Sequence, residues 1–315
     1  MRVLVAGATG VVGRQLLPLL TEIGHETYGL ARSDATARRV RQLGGHPVRG
    51  DALDPDAVAE AVRTAAPDAI VNMATAIPAN PDPRHLARDF ALTNRLRTEG
   101  TRNLLAAAGR AGAPRLISQG LAYAYQPGRG AANEDTPLWA NPPRQFVPVL
   151  DALRQLERQT TAAGGLVLRL GHLYGPGSAF AADGALARSA RTGRLPIVGD
   201  GAATYSFVHA ADVASAIVAA LDRPVPGVLN VVDDEPAPVP EWLPALARLT
   251  GGPAPKHVPT ALARLAVGGW GVAFMTRLRG ADNARARLSL DWRPRYASWR
   301  DGFAAELHGI TDASA

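Results

Sequence analysis

The 315-residue chain has no cysteine and a single lysine, Lys256. Without cysteine there is no disulfide, no thiolate zinc site and no thiol nucleophile. The absence fits a reducing compartment, and the expected location is the cytoplasm. Chemistry that pairs a lysine with another side chain has one place to occur, at residue 256. Aromatic residues make up 5% of the chain, too few and too scattered to interleave with basic residues as a nucleic-acid platform. The net charge of +6 therefore does not point to nucleic acid. Nearly all of the positive charge is arginine, dispersed among Ala, Gly, Pro and Asp, as a coding bias toward arginine produces. No apolar run is long enough for a bilayer, which needs ~20 residues. The nearest approach, "ALARLAVGGWGVAFM" (Ala261–Met275), is interrupted by Arg264 and reads as a buried or partner-facing helix. The opening "MRVLVAGATG" reads as a strand rather than a leader.

What is present is an alternation. "RVLVAG" (Arg2–Gly7), "HETYGLAR", "HPVRGD", "DAIVNMAT", "PRLISQG" and "GLVLRLGHLYG" (Gly165–Gly175) read as strands. Between them lie helical stretches at Val11–Ile23, Asp34–Leu43, Asp54–Thr64, along "RLRTEGTRNLLAAAGRAG", and at the end of "NPPRQFVPVLDALRQLERQ" (Asn141–Gln159). Largely apolar strands separated by crossover helices predict an α/β fold with a parallel sheet covered on both faces. From about Gly171 the pattern gives way to longer loops, Pro-rich segments and helices. Residues 1–170 are thus expected to form a nucleotide-binding domain, with parts of 205–232 returning to it. Residues 171–315 are expected to form mostly a smaller, substrate-binding C-terminal lobe.

The first turn carries the strongest local signal. "GATGVVG" sets Gly7, Gly10 and Gly13 between a strand and a helix. Gly7 permits the turn, Gly10 lets backbone approach a pyrophosphate, and Gly13 lets helix and strand pack closely. The N–H groups of Thr9, Val11 and Val12 are left for the anion. This is the Rossmann-type, doubly wound arrangement that binds a dinucleotide. The second strand ends "GLARSDA", with Arg32 and Ser33 where an NAD-binding chain places a carboxylate for the ribose hydroxyl. An arginine there suits a 2′-phosphate, so NADP(H) is expected over NAD(H).

Together these motifs resemble the extended short-chain dehydrogenase/reductase superfamily, in its NAD-dependent epimerase/dehydratase-like branch. "GATGVVG" is similar to that family's phosphate loop. "GDALD" resembles its adenine-contacting turn, with Asp51 and Ala52. "VNMAT" resembles the strand end behind the nicotinamide ribose, with Ala74 and Thr75. "GTRNLLAAA", "LRLGHLYGPG", "YSFVHAADVASAI" and "WRPRYASWRDGF" follow in family order. The resemblance implies a bound NAD(P), a small-molecule substrate and an oxidoreductase- or epimerase-like activity, with a homodimer as the assembly left open.

The resemblance also implies a tyrosine and, four residues on, a lysine, which supply and tune the proton for an alkoxide. This chain has no such pair, because Gly252 lies four residues before its single lysine. With Tyr123 set on the family's Ser-Ser-x-x-x-Tyr-Gly segment, Gln119 takes the orienting Ser/Thr position and Ser118 falls one place early. The donor pair then falls on Val149 and Leu153, or in a shifted register on Phe146 and Leu150. Tyr123, Tyr125 and His172 are the candidate replacements, with Gln119 retaining the orienting role. His209 and Asp212 are read as loop and helix-cap residues, Asp233–Glu235 as a solvated turn, and no metal site is assigned. Two other readings stay open: a non-redox elimination, cyclisation or isomerisation, and a non-catalytic NADP(H)-sensing protein.

Overall fold

The structure is a computed structural model, and it describes residues 1–112 and 115–307. In chain order the first half runs β1 (Arg2–Ala6), α1 (Gly13–Glu22), β2 (Glu26–Ala31), α2 (Asp34–Gln42), β3 (His46–Arg49), α3 (Pro55–Ala65) and β4 (Ala69–Asn72). It continues through α4 (Leu86–Asp89), α5 (Ala91–Arg95), a π-helical turn (Leu96–Gly100), α6 (Thr101–Arg110), β5 (Arg115–Leu121) and α7 (Val147–Ala162). The second half holds β6 (Leu166–Leu170), β7 (His172–Tyr174), α8 (Ala185–Arg191), β8 (Ile197–Val198), β9 (Thr204–Tyr205), β10 (Phe207–His209) and α9 (Ala210–Asp222). It closes with β11 (Gly227–Val231), β12 (Ala237–Pro238), α10 (Val239–Leu249), β13 (His257–Val258), α11 (Thr260–Thr276), α12 (Ala284–Leu290) and α13 (Trp299–Leu307). The anticipated start of the fifth strand at Pro114 and the tail 308–315 lie outside the described residues.

Seven strands form one parallel sheet in the order β11-β6-β5-β4-β1-β2-β3. The order reverses between β1 and β4, where the C-terminal strand ends leave a crevice for a ligand. One face is sealed by α1 and α9 through Leu16, Leu17, Leu20, Val213 and Ile217. The other is sealed by α3 and α6 through Val58, Val62 and Leu104, with α7 packed on β5. This is the Rossmann-type doubly wound sheet that the sequence predicts.

Two elements differ from the sequence reading. "GLVLRLGHLYG" is not one strand: the chain leaves the sheet at Gly171, and β7 pairs with β10. A Cβ at Gly171 would lie 2.5 Å from the Ser206 carbonyl oxygen, so backbone 35 residues away in sequence, just before β10, crowds the break there. The long fourth helix is likewise divided by the π-turn. In a third core Trp139, Phe146, Tyr205, Phe207, Trp242, Trp270, Trp299 and Phe303 pack together. It reaches back to α7 through Val149, Leu150 and Leu153. α11 bends at Gly268 (φ 69°). Its first half exposes Leu262 and Leu265, and its second half buries Trp270 and Val272.

Candidate functional site

The phosphate loop has the geometry its glycines require. Gly7 adopts φ 86°, and a Cβ on it would lie 2.5 Å from the Met73 carbonyl oxygen at the end of β4. A Cβ on Gly13 would lie 2.4 Å from the carbonyl oxygens of both Gly7 and Ala8. Gly10, by contrast, faces only its own turn, which leaves its open side for a ligand. The turn closes by Gly10 N–H donating to the Gly7 carbonyl at 3.0 Å, and Arg14 Nε donates to the Thr9 carbonyl at 2.9 Å. The N–H groups of Thr9, Val11 and Val12 have no acceptor among the described residues. Unpaired amides at the start of a helix favour an anion such as a pyrophosphate. The cradle fits a dinucleotide, which would be held by these amides and by the glycines' missing side chains.

At the end of β2, Arg32 is exposed and free of ion pairs among the described residues. Ser33 caps α2, its Oγ accepting from Thr36 N–H at 3.2 Å. Asp34 pairs with Arg49 at 3.3 Å across the exposed end of β3. Beside them a recess of about 330 Å3 is lined by Arg38, Arg41 and Arg49. Asp51 is half-buried and accepts from Leu53 N–H at 3.0 Å, and the Ala52 carbonyl is held by Asn103 Nδ2 at 3.0 Å. Past β4, Ala74 N–H donates to Asn72 Oδ1 at 3.3 Å, while Thr75 is exposed.

The nicotinamide side departs from the expectations in four places. Ser118 is fully buried and accepts from Thr160 Oγ1 at 3.0 Å, which ties β5 to α7 and removes it from cofactor contact. Gln119 alternates to the other face of the strand, half-buried, so it and Ser118 do not share a surface. Tyr125 does not line a cleft with Tyr123. It is 1% exposed, and its hydroxyl donates to Asn230 Oδ1 at 2.6 Å and accepts from Arg169 Nη1 at 2.9 Å. Arg169 in turn grips Glu157 of α7 with Nε and Nη2, both at 2.7 Å. The strand twists out of its alternation after β5, and Tyr125 belongs to this buried network.

His172 is the fourth correction. It is buried, its ring stacked between Tyr205 at 3.9 Å and Tyr123 at 4.5 Å, with Phe274 edge-on at 5.6 Å. Burial drives its pKa down to about 3, against a weaker pull upward from the Ser206 carbonyl. The ring is therefore neutral at pH 7 and has no acidic proton to spare. Nδ1 donates to that carbonyl at 3.2 Å, which fixes the tautomer and leaves buried Nε2 as an unpartnered acceptor. Tyr123, half-buried, is the one candidate donor whose hydroxyl has no hydrogen bond within the described chain. Burial raises its pKa, against the opposing field of Arg97.

On α7, Val149 and Leu153 are each 1% exposed within the aromatic core, and Phe146 and Leu150, the pair in the shifted register, are buried there too. His209 caps α9 through Nδ1, which accepts from Ala211 N–H at 3.1 Å, and Asp212 holds the N–H groups of Arg295 and Tyr296 at 2.7 and 3.2 Å. Asp233 is not solvated. It is 1% exposed with both carboxylate oxygens unpartnered, and burial lifts its pKa to about 8. Nearby backbone N–H groups of Glu235, Phe207 and Trp299 pull the other way without reaching hydrogen-bond geometry. Among the described residues no group of three His, Asp or Glu side chains is placed to hold a metal, and no helix is long and apolar enough to cross a membrane.

Residues 3–231 match the NAD dependent epimerase/dehydratase family, and the chain belongs to it. It is similar to the 3-diazoavenalumate denitrifying reductase of a Streptomyces species, with 43% identity over 97% of this chain and 100% of that one. It is also similar to the 2-alkyl-3-oxoalkanoate reductase of Stenotrophomonas maltophilia, 28% identical over 80% of this chain and 77% of the relative. The fold superimposes on UDP-glucose 4-epimerase of Thermus thermophilus in complex with NAD, at TM-score 0.75 and 23% identity over the full length of both. Fold, cradle and relatives define an NAD(P)-dependent enzyme of the extended short-chain dehydrogenase/reductase type, in its oxidoreductase- and epimerase-like branch.

Proposed function

We propose that the chain is an NADPH-dependent reductase that replaces a diazonium group on an aromatic substrate by hydrogen, releasing N2. The observation that carries this reading is the apolar character of Val149 and Leu153 where a donor pair is expected, together with a neutral His172. Hydride added to a carbonyl leaves an alkoxide, which needs a positioned proton. Hydride delivered to a diazonium carbon leaves no anion. The new C–H bond takes the hydride pair, the C–N bond breaks with its pair going to N2, and R–N2+ plus NADPH gives R–H, N2 and NADP+. No proton enters the balance, so a site without a donor suffices. A lysine ammonium would repel the cationic substrate, whereas the aromatic faces of Tyr123 and Phe274 attract it. The 43% relative, named as a denitrifying reductase of a diazo compound, supports the same chemistry.

The cofactor supplies the hydride; the protein's part is to bind and orient. Thr9, Val11 and Val12 amides would take the pyrophosphate, and Arg32 the 2′-phosphate. The experiment is anaerobic incubation of the purified protein with an aromatic diazonium carboxylate and NADPH. N2 should appear mole for mole with NADPH consumed. Loss of NADPH without N2, or N2 without NADPH loss, overturns the reading. For the cofactor, NADPH should bind at least about tenfold more tightly than NADH, as a charge-assisted phosphate contact supplies. Arg32→Asp should reverse that order, and tighter NADH binding by the native protein would refute the preference.

Carbonyl reduction is the second reading, favoured by the free Tyr123 hydroxyl and the oxoalkanoate reductase relative. It requires NADPH oxidation by a ketone substrate and its loss in Tyr123→Phe.

A further inference from the structure

Among the described residues, one buried guanidinium has no partner. Arg97, in the π-turn, is 3% exposed. Its guanidinium makes no hydrogen bond or ion pair with any described residue, and Nη1 is sealed from solvent without a partner. Arg169, by contrast, is a buried guanidinium met by Glu157 on two nitrogens and by Tyr125 on the third. An uncompensated buried charge is strongly unfavourable, and burial lowers the Arg97 pKa to about 10. It stays protonated at neutral pH all the same. A group kept in that state fits a site whose counter-ion arrives from outside.

The surroundings say where. The π-turn packs against α7, the helix that carries Val149 and Leu153. The ionisable group in its field is Tyr123, whose ring stacks on His172 at the reactive end of the crevice. One turn earlier, Asn94 Oδ1 is also buried and unpartnered. π-turns inside α-helices recur at functional sites, where they re-aim side chains. The family's lysine position is thus apolar, while a cation stands on the neighbouring element instead.

We propose that Arg97 is the anchor for a carboxylate on the substrate, gripped by its guanidinium in the space between the π-turn, α7 and Tyr123. Guanidinium and carboxylate match as a two-pronged, charge-assisted pair. Nicotinamide ribose hydroxyls are neutral and would leave the charge uncancelled. With its anionic end held there, a substrate that also bears a diazonium keeps its positive end away from the guanidinium and against the aromatic faces. The inference rests on the reading of the site as a diazonium reductase, but it is tested by binding rather than turnover.

Protein saturated with NADP+ is titrated by calorimetry with benzoate and phenylacetate, and with the matching neutral carboxamides. The native protein should favour the carboxylates by about tenfold or more, as a charge-assisted pair provides. Arg97→Gln should abolish that preference and Arg97→Lys should keep part of it, with NADP+ affinity unchanged in both. Arg97→Met should raise the melting temperature of the unliganded protein, because an apolar side chain relieves a buried unpaired charge. A carboxylate preference that survives in Arg97→Gln overturns the proposal, as does its absence in the native protein. A parallel loss of NADP+ affinity would move Arg97 to the cofactor, and a lower melting temperature in Arg97→Met would make it structural. Retained carboxylate preference without N2 release leaves the anchor standing and removes the diazonium reading; N2 release without the preference does the reverse.

Discussion

His172 and Asp233 show how far burial moves a side chain from its solution chemistry. An ordinary histidine near a nicotinamide exchanges protons at neutral pH; this one, sandwiched between two tyrosine rings, titrates near 3. Its folded pKa lies below its unfolded value, so its contribution to stability is whole above about 6.5 and is lost as the pH falls toward 3. Asp233 has the opposite sign. Its folded pKa of about 8 exceeds the ordinary carboxyl value of 3.8, so its contribution is whole below 3.8 and is lost as the pH rises through 8. Asp233→Asn should therefore raise the melting temperature at pH 9 by several degrees while changing it little at pH 5, as followed by circular dichroism. A substitution that lowers stability equally at both pH values would show that the carboxyl is not held protonated. Neither behaviour was legible in the sequence. Asp233 sits in "DDEPAP", which reads as a solvated turn, yet it is 1% exposed, and its neighbours include backbone of Phe207 and Trp299, distant in the chain. Arg97 did carry a signal. Thr93, Leu96, Arg97, Gly100, Thr101 and Leu104 follow the spacing of a helix's inner stripe, and all six are buried.

At the scale of elements, α7 carries both registers expected for the donor pair. Val149, Leu150 and Leu153 belong to the aromatic core, so placing a donor pair there would disrupt packing. Leu153→Lys should cost at least ~3 kcal/mol of unfolding free energy in urea, because it buries a second cation on a helix that packs against the π-turn bearing Arg97. It should confer no ketone reduction. A stable Leu153→Lys protein that reduces ketones would show that the donor position is still functional. The same helix is fixed at its other end by the buried pair of Glu157 with Arg169. Glu157→Gln, which strands the guanidinium, should destabilise by ~3 kcal/mol in the same assay. The sheet strands and α1 were legible because their apolar runs and glycine turn are local in sequence. The break at Gly171 and the π-turn were not, since the first answers to the Ser206 backbone and the second leaves no residue-type signature.

For the whole molecule, the parallel sheet supplies a phosphate cradle at the β1–α1 turn, and separate segments of the chain supply an aromatic wall of Tyr123, His172, Tyr205 and Phe274. The cradle was readable from glycine spacing alone; the wall was not, because it assembles from four segments spread between residues 123 and 274. On the proposed reading the cradle holds the cofactor and the wall an electron-poor aromatic carbon, and direct replacement by hydride needs no proton from the free Tyr123 hydroxyl. The direct test is the origin of the hydrogen on that carbon. With NADPH deuterated at the transferring position and the reaction run in ordinary water, the product should carry one deuterium at the carbon that lost N2. With ordinary NADPH in deuterium oxide it should carry none. Solvent deuterium at that carbon, or no label from the cofactor, would contradict direct hydride replacement.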